Sequence, residues 1–262
     1  MVAGKLERIE EIIKNPISIL IPTFNRHYFL PLVLNNILRQ DYPHDLLELI
    51  IDDDGTIPFI QPDLEDEIKN KIAPIKLKII RDEKGHRNIG MKRNYLVNQA
   101  SHDIVVFMDD DEIYLDSYIS YSYNELISND AGCVGSNQLI ILFPYNDYSL
   151  RAFHCGDLKE KIHENSIMMT TKWFRQSPKF ERKSLGEGGQ LFSGDNSKVF
   201  LTDISKCLIQ LAWGGNTAEK KYFLQDRFKV PFNIHEQIIE DIKPFMTNLK
   251  KFINIPKYES IP

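Results

Sequence analysis

The first half of the chain alternates short apolar runs with longer segments that have helical periodicity. The apolar runs predict four strands, and the intervening segments predict four helices. Such alternation is typical of an α/β domain, in which helices flank a mostly parallel sheet. The predicted strands are residues 17–21, 47–51, 75–80 and 104–108, and the predicted helices are residues 28–39, 64–72, 91–100 and 115–128.

Three polar loops follow predicted strands and mark the candidate site. They read PTFNR at residues 22–26, DDDGT at 52–56 and MDDDE at 108–112. Ligands of open α/β sheets bind beyond the carboxyl ends of the strands, so these loops are expected to face one crevice. A run of four acids is, by itself, more often a solvated loop than a site. Its mutual repulsion is acceptable where solvent, a cation or hydrogen-bond donors offset it.

The rest of the chain has a weaker pattern. Residues 131–143 predict one or two strands, and residues 145–200 form a polar, aromatic-rich stretch without a clear period. Residues 234–252 predict a helix that is interrupted near Pro244, because proline removes a helical hydrogen bond.

Composition excludes several classes of protein. The net charge of −5 argues against a general nucleic-acid binder, which needs a basic excess to neutralise phosphates. The three cysteines are far apart and lack the spacing of zinc or redox sites, which favours a reducing compartment. The sequence also lacks a secretory signal and any apolar run of the ~20 residues that a transmembrane helix needs. We therefore expect a cytoplasmic protein.

The strand-end loops do not match the common phosphate-binding loops. The stretch after the first strand contains no glycine, and no GKS or GKT sequence occurs, so dinucleotide-binding and P-loop turns are absent. A divalent cation held between two carboxylates and a diphosphate is another solution. Asp109 and Asp111 alternate along an extended turn and are the candidate ligands for Mn²⁺ or Mg²⁺.

Four segments, in this order, resemble the family 2 glycosyltransferases of the GT-A fold: SILIPTFNR, LELIIDDDGT, IGMKRN and FMDDDE. The resemblance covers roughly the first 130 residues. It implies an enzyme that uses a nucleotide-sugar donor, most simply a UDP-sugar, bound along the mostly parallel sheet. The residues that it places at the nucleotide, the diphosphate or the sugar are Pro22, Thr23, Asn25, Arg26, Asp53, Asp54, Lys92, Arg93 and Asp110, with Asp109 and Asp111 at the metal.

Some of these residues have an alternative structural role. Asn25 is as readily a helix N-cap as a nucleotide contact, and Lys92 and Arg93 have the default role of helix-surface cations. Asp53 is expected beside uracil, and Asp110 toward the sugar or ribose. Glu112 is expected to lie at the start of the following helix, where the helix dipole favours an acid.

The resemblance also implies inversion at the sugar, which requires a general base in the second half of the chain. Glu187, in LGEGGQLF, is the first candidate, and Asp195 is the next. In LAWGGNTAEKK, Trp213 stands where the family often has a metal-binding histidine. An indole cannot supply a lone pair to a cation, so Trp213 is expected to stack on a sugar or to pack in the core.

We therefore expect one GT-A domain over residues 1–262. Residues 15–130 form its nucleotide-sugar half, 131–225 a smaller acceptor half and 226–262 a helical tail. The expected acceptor is a glycan, a lipid or a protein, with no nucleic-acid partner. Two alternatives stay open: a sugar-binding module that has lost transfer, which Trp213 favours, and a metal-dependent phosphodiesterase.

Overall fold

The computed structural model describes residues 14–82, 85–156, 158–228 and 236–252. Two sheets and the helices around them make up this part of the chain. Its strands are β1 (Ile17–Thr23), β2 (Leu47–Asp53), β3 (Lys76–Arg81), β4 (Ile104–Phe107), β5 (Glu112–Tyr114), β6 (Cys133–Gly135), β7 (Gln138–Phe143), β8 (Ser149–His154), β9 (Met168–Thr170), β10 (Val199–Leu201) and β11 (Leu208–Leu211). Its α-helices are α1 (Leu30–Leu38), α2 (Glu65–Ile72), α3 (Ile89–Gln99), α4 (Tyr118–Ser128), α5 (Thr171–Gln176), α6 (Gly188–Leu191) and α7 (Glu236–Leu249).

The larger sheet has seven strands in the order β10-β6-β9-β4-β1-β2-β3. All of its neighbouring pairs are parallel except the two that involve β9, which runs antiparallel to β4 and to β6. Strands β1 and β2 are interior strands of this sheet and are buried along their whole length. Their apolar, β-branched sequences suit a strand that is covered by helices on both faces. This confirms the α/β fold class.

A smaller four-stranded sheet has the order β5-β11-β7-β8. Strand β5 follows the acidic run directly and pairs antiparallel with β11, so the two sheets meet next to that run. The predicted strand region at 131–143 is confirmed as β6 and β7. The sheets therefore bring the polar loops of the first half against the poorly patterned second half.

Local sequence signals explain where several helices begin. Asn88 accepts a hydrogen bond from the Met91 N–H, which caps α3, and Thr170 accepts one from the Trp173 N–H, which caps α5. Such caps satisfy amide groups that have no partner inside the helix. Because α3 starts at its cap, Lys92 and Arg93 lie in its first turns, close to the carboxyl edge of the sheet.

The four predicted strands and four predicted helices of the first half are confirmed, with small shifts at their ends. Two expectations, for Glu112 and for the helix around Pro244, were wrong. Glu112 begins strand β5 rather than the following helix, which starts only at Tyr118. Helix α7 is continuous through Pro244, since Ile242, Met246 and Leu249 are buried against the core and hold the helix on both sides of it. The first two residues of that predicted helix lie outside the described residues.

Within the described part of the chain, no helix is long and apolar enough to cross a membrane. The division into a nucleotide half, an acceptor half and a tail stays a prediction.

Leu49 lies at the centre of β2 and is fully buried. We expect Leu49→Ala to lower the free energy of unfolding by roughly 2–5 kcal/mol, because it removes buried methyl groups and leaves a cavity in the core. Leu64→Ala is the matched control, since Leu64 is 38% exposed, and it should change stability by less than about 1 kcal/mol. Urea denaturation measures both, and equal losses would contradict the position of β2.

Candidate active site

A cavity of roughly 700 Å³ opens at the carboxyl edge of the larger sheet. The loop after β1, the acidic run after β4 and the start of α3 form one end. Residues 160–165, 184–187 and 216–220 contribute to the remaining walls. Among the residues expected to contact donor or metal, Pro22, Thr23, Arg26, Lys92, Arg93, Asp109, Asp110 and Asp111 line this cavity, and so does Glu187. The sequence therefore predicted most of one wall.

The DDDGT loop lies behind that wall and is held by its own acids. Asp53 is 1% exposed; its carboxylate accepts hydrogen bonds from the Gly55 and Phe59 amides and pairs with Arg81 at 2.7 Å. Asp53 is not among the residues that line the cavity. In this arrangement Asp53 braces its own loop, and its contact with uracil stays a prediction.

Asn25 also braces this loop. Its backbone adopts a positive φ of 54°, and its side-chain oxygen accepts hydrogen bonds from the amide and the hydroxyl of Thr56. Asn25 makes no N-cap, because the residue before the following short helix is Arg26. A Cβ on Gly55 would lie 2.6 Å from the Asn25 nitrogen, so only glycine allows the two loops to approach this closely.

Two acids of β2 and its loop are buried and paired with cations. Lys92 Nζ donates to Asp54 Oδ1 at 2.5 Å and to the Thr23 carbonyl, and Arg87 Nη2 donates to Asp52 Oδ1 at 2.6 Å. Burial raises the pKa of Asp52 to about 6, although Lys92 and Arg87 oppose this shift. For Asp54, hydrogen bonds from the Arg87 amide and from Lys92 outweigh burial and lower the pKa.

In the acidic run, Asp110 is turned toward the loop after β1. It accepts hydrogen bonds from the Thr23 hydroxyl at 2.5 Å and from Arg26 Nη1 at 2.8 Å. Arg26 Nη1 also lies 3.1 Å from Asp111 Oδ2. Burial would lower the pKa of Arg26, but Asp111 and Asp110 outweigh it and raise that pKa. Thus Arg26 offsets part of the repulsion within the run.

Trp213 is buried and donates its indole N–H to Asp111 Oδ2 at 2.8 Å. Its ring also packs edge-to-face against Phe29 at 5.1 Å, so packing in the core is confirmed. Asn216 Nδ2 approaches the same Asp111 oxygen at 3.3 Å. Burial would raise the pKa of Asp111, but Arg26, Lys220 and the Trp213 hydrogen bond lower it.

Glu112 turns away from any helix terminus and accepts the Leu211 amide at 2.6 Å. Lys220 Nζ lies 3.1 Å from its other oxygen. Burial nevertheless raises the pKa of Glu112 to about 8. The acid therefore ties β5 to β11 and to residue 220, a role that its place in the sequence did not indicate.

Arg93 connects the two ends of the cavity. It is 3% exposed; its Nη2 lies 3.0 Å from Asp109 and its Nε donates to Glu187 Oε1 at 3.0 Å. Burial would lower the pKa of Arg93, but Asp109 and Glu187 outweigh it and raise that pKa. The neighbouring Asn94, in contrast, exchanges hydrogen bonds with the backbone of Phe180 and does not line the cavity.

The two candidate bases are separated. Glu187 is 4% exposed and lies in the cavity wall. Asp195 is exposed and absent from that wall, and its carboxylate accepts the Ser197 amide, which lowers its pKa. Glu187 has an acidic neighbour in the cavity wall that the sequence did not indicate. This is Glu164, whose Oε1 accepts a hydrogen bond from the Gly188 amide at 2.7 Å.

The cavity has an excess of acidic groups. Eight acidic and six lysine or arginine side chains line it among the described residues, so a divalent cation would strengthen the binding of a diphosphate there. Asp109 Oδ1 is buried and accepts no hydrogen bond, although Arg93 Nη2 is 3.0 Å away. A free, hard oxygen beside an acidic excess fits Mg²⁺ or Mn²⁺.

The described residues contain no cluster of three or more histidine, cysteine or acidic side chains that could hold a metal ion. A cation at Asp109 and Asp111 would therefore depend on the phosphates of a donor for its remaining ligands. Trp213 cannot supply a further metal ligand, since its ring N–H is a donor only and makes a hydrogen bond to Asp111.

The sequence of this chain matches a family model over residues 18–197. That model is described as glycosyl transferase family 2. The chain belongs to glycosyl transferase family 2.

Two curated glycosyltransferases illustrate the range of the family. The chain is 22% identical over 214 residues to the glycosyltransferase GlyA of Streptococcus pneumoniae serotype 4. The alignment covers 72% of this chain and 29% of that protein. The chain is 29% identical over 96 residues to the poly(ribitol-phosphate) beta-N-acetylglucosaminyltransferase TarS of Staphylococcus aureus, covering 36% and 16%. This family 2 chain thus spans less than a third of the length of either relative.

Solved structures show the same fold. S. aureus TarS 1–349 in complex with UDP-GlcNAc has a TM-score of 0.56 at 14% identity and covers 90% of this chain and 73% of that one. The complex of the same TarS fragment with UDP has a TM-score of 0.55 at 15% identity, covering 75% and 60%. The fold of this family 2 chain is therefore of the GT-A type.

Sequence reasoning missed several residues that line the site, among them Arg87, Glu164, Asn216 and Lys220. Arg87 had a usable signal, since it lies just before the Asn88 cap of α3 and near two acidic loops. The other three come from segments without clear period, where no pattern indicated which side chains face the cavity.

Asp52 allows a test of the buried charges in this family 2 chain. Because its folded pKa of about 6 lies above the ordinary value, Asp52 binds a proton more tightly in the folded state. Its stabilising contribution is present below about pH 4 and is lost as the pH rises to about 6. The difference in unfolding free energy between Asp52→Asn and wild type should therefore increase by roughly 3 kcal/mol, in favour of the variant, from pH 4 to pH 7.

Urea unfolding at the two pH values measures this difference. Asp66→Asn is the control for the loss of one acidic group, because the Asp66 side chain is 97% exposed. A difference for Asp52→Asn that is the same at both pH values would contradict the raised pKa of Asp52.

Proposed function

We propose that this chain transfers a sugar from a UDP-sugar to an acceptor hydroxyl, with inversion at the anomeric carbon. The observation that carries the proposal is a single cavity with two chemically different ends. One end holds the ordered strand-end residues of a family 2 glycosyltransferase. The other holds two carboxylates that can accept a proton, the half-buried Glu164 and the buried Glu187.

The nucleoside would lie against the loop after β1. Pro22, Thr23 and Phe24 line the cavity there, and the Phe24 and His86 rings have centroids 3.8 Å apart. Phe24 is 37% exposed, which leaves aromatic surface for a pyrimidine base. The UDP-bound TarS structures, which share the fold, support a uridine donor.

The diphosphate would lie between the acidic run and the cations beside it. Arg26 and Arg93 each neutralise carboxylates of that run and line the cavity, so both are placed to contact phosphate oxygens. Asp109 and Asp111 would hold a divalent cation together with the phosphates. When bound, such a cation stabilises the negative charge that develops on the leaving diphosphate.

Transfer would be a single displacement. An acceptor hydroxyl loses its proton to a carboxylate of the cavity wall, its oxygen forms a bond to the anomeric carbon, and the bond from that carbon to the diphosphate breaks. The electron pair of the broken bond leaves with UDP. Because the two oxygens lie on opposite sides of the carbon, the configuration inverts. A glycan, lipid or protein hydroxyl as acceptor stays a prediction, as does a cytoplasmic location.

The donor end can be tested by ligand-induced stabilisation. UDP with Mn²⁺ should raise the melting temperature more than UDP or Mn²⁺ alone, since a ligand at 100 times its Kd adds about 2.7 kcal/mol of stability. UDP-GlcNAc should be hydrolysed slowly in the presence of Mn²⁺, which a UDP-release assay detects. GDP serves as the comparison nucleotide and should stabilise less than UDP.

The double variant Asp109→Asn/Asp111→Asn should lose the Mn²⁺-dependent part of the stabilisation and of the hydrolysis, while Asp66→Asn, at an exposed position, should retain both. If the double variant keeps the full Mn²⁺ effect, these aspartates are not the metal ligands. If no UDP-sugar stabilises or reacts with the wild-type chain, the glycosyl-transfer proposal is wrong.

A further inference from the structure

Two carboxylates lie together at the acceptor end of the cavity, and their surroundings differ. Glu187 is 4% exposed, and its Oε1 is paired with the guanidinium of Arg93 at 3.0 Å. This ion pair occupies one oxygen of Glu187 and fixes the direction of its carboxylate, so Glu187 is held in place by Arg93.

Glu164 is the more accessible of the two. It begins a short 3-10 turn just before β9, is only half-buried and lines the cavity. Its Oε1 accepts the Gly188 amide at 2.7 Å. This hydrogen bond orients the Glu164 carboxylate in the cavity wall, where an acceptor hydroxyl can approach it.

Gly188 explains how Glu164 reaches this position. A Cβ added at residue 188 would lie 2.7 Å from Glu164 Oε1 and 2.8 Å from its Cγ. The Glu164 side chain therefore occupies the space that a side chain at residue 188 would need. Gly188 does not have a positive φ, so a larger residue here would displace the Glu164 side chain without straining the backbone.

The electrostatics agree with this geometry. Burial and then the negative charge of Glu187 raise the pKa of Glu164, while Arg93 acts in the opposite direction. A general base works best when its pKa lies near the working pH, because it then accepts a proton readily and is still largely ionised.

We propose that Glu164 is the general base that deprotonates the acceptor hydroxyl, and that Glu187 is a positioning residue held by Arg93. This inference rests on the proposed glycosyl transfer. In the step, Glu164 takes the hydroxyl proton while the acceptor oxygen bonds to the anomeric carbon and the UDP oxygen leaves with its electron pair. Glu164 then returns the proton to solvent.

The first test uses UDP-GlcNAc, Mn²⁺ and water as the acceptor. Glu164→Gln should lower the kcat for UDP release by about 100-fold or more, the usual contribution of a general base, while UDP with Mn²⁺ still raises its melting temperature as in wild type. Glu67→Gln is the matched control: Glu67 is exposed on α2 and does not line the cavity, and its kcat should stay within about twofold of wild type.

The pH profile separates a base from a positioning residue. Wild type and Glu187→Gln should both lose kcat/KM at low pH as Glu164 becomes protonated. The limb of Glu187→Gln should lie at lower pH, because the negative charge of Glu187 no longer raises the pKa of Glu164. The residual activity of Glu164→Gln should lack this acidic limb. An acidic limb that disappears in Glu187→Gln and persists in Glu164→Gln would reverse the two roles and overturn the proposal.

A relocated carboxylate gives the sharpest test. Gly188→Asp alone should lower kcat, because the new side chain collides with Glu164. Gly188→Asp combined with Glu164→Ala places a carboxylate in the same space from the opposite side, and it should exceed the kcat of Glu164→Ala by at least about tenfold. A double variant no faster than Glu164→Ala, although it melts at the same temperature, would contradict the assignment.

The outcomes distinguish the two proposals. A wild-type chain that turns over no UDP-sugar would overturn glycosyl transfer and the base assignment with it. A wild-type chain that is active, with Glu164→Gln equally active, would overturn only the assignment of the base.

Discussion

The site depends on the pairing of buried carboxylates with cations from helix α3. Lys92 and Arg93 are only 2% and 3% exposed, and they lie between the acids of β2 and those that follow β4. A buried carboxylate without a partner would cost several kcal/mol. Lys92 pairs with Asp54 and the next residue, Arg93, pairs with Asp109. The position of α3 therefore sets the separation of the two acidic loops and the width of the cavity at that end.

The sequence predicted the strands and helices of the first half well because its signals there are local. Each apolar run ends directly before the loop that matters, and strand order in a parallel sheet brings those loops to one edge. What it could not show is the direction of each side chain. Asp53 and Asp110 have similar settings in the sequence, yet Asp53 is turned into its own loop, whereas Asp110 lies in the cavity wall. The prediction for Glu112 was wrong for a related reason, since its partner Lys220 is 108 residues away in the sequence.

Trp213 shows how an exchanged residue type changes the chemistry of a position. Where the resemblance suggested a histidine, the indole donates a hydrogen bond to Asp111 and packs on Phe29. A donor at this point fixes the direction of the carboxylate and stabilises its charged form, but it contributes no lone pair. The orientation of Asp111 is thus set from the core side, by a group 102 residues away in the sequence.

The reversed direction of β9 has a consequence for how the chain tolerates change. A parallel strand delivers the segment that follows it to the carboxyl edge, whereas an antiparallel strand delivers the segment that precedes it. Residues 160–165 therefore reach the cavity, while Thr171, just after β9, bonds to Asp103 at the opposite edge. Insertions between β8 and β9 would reshape that wall of the cavity, whereas insertions between β9 and the end of α5 would lengthen a surface at the opposite edge.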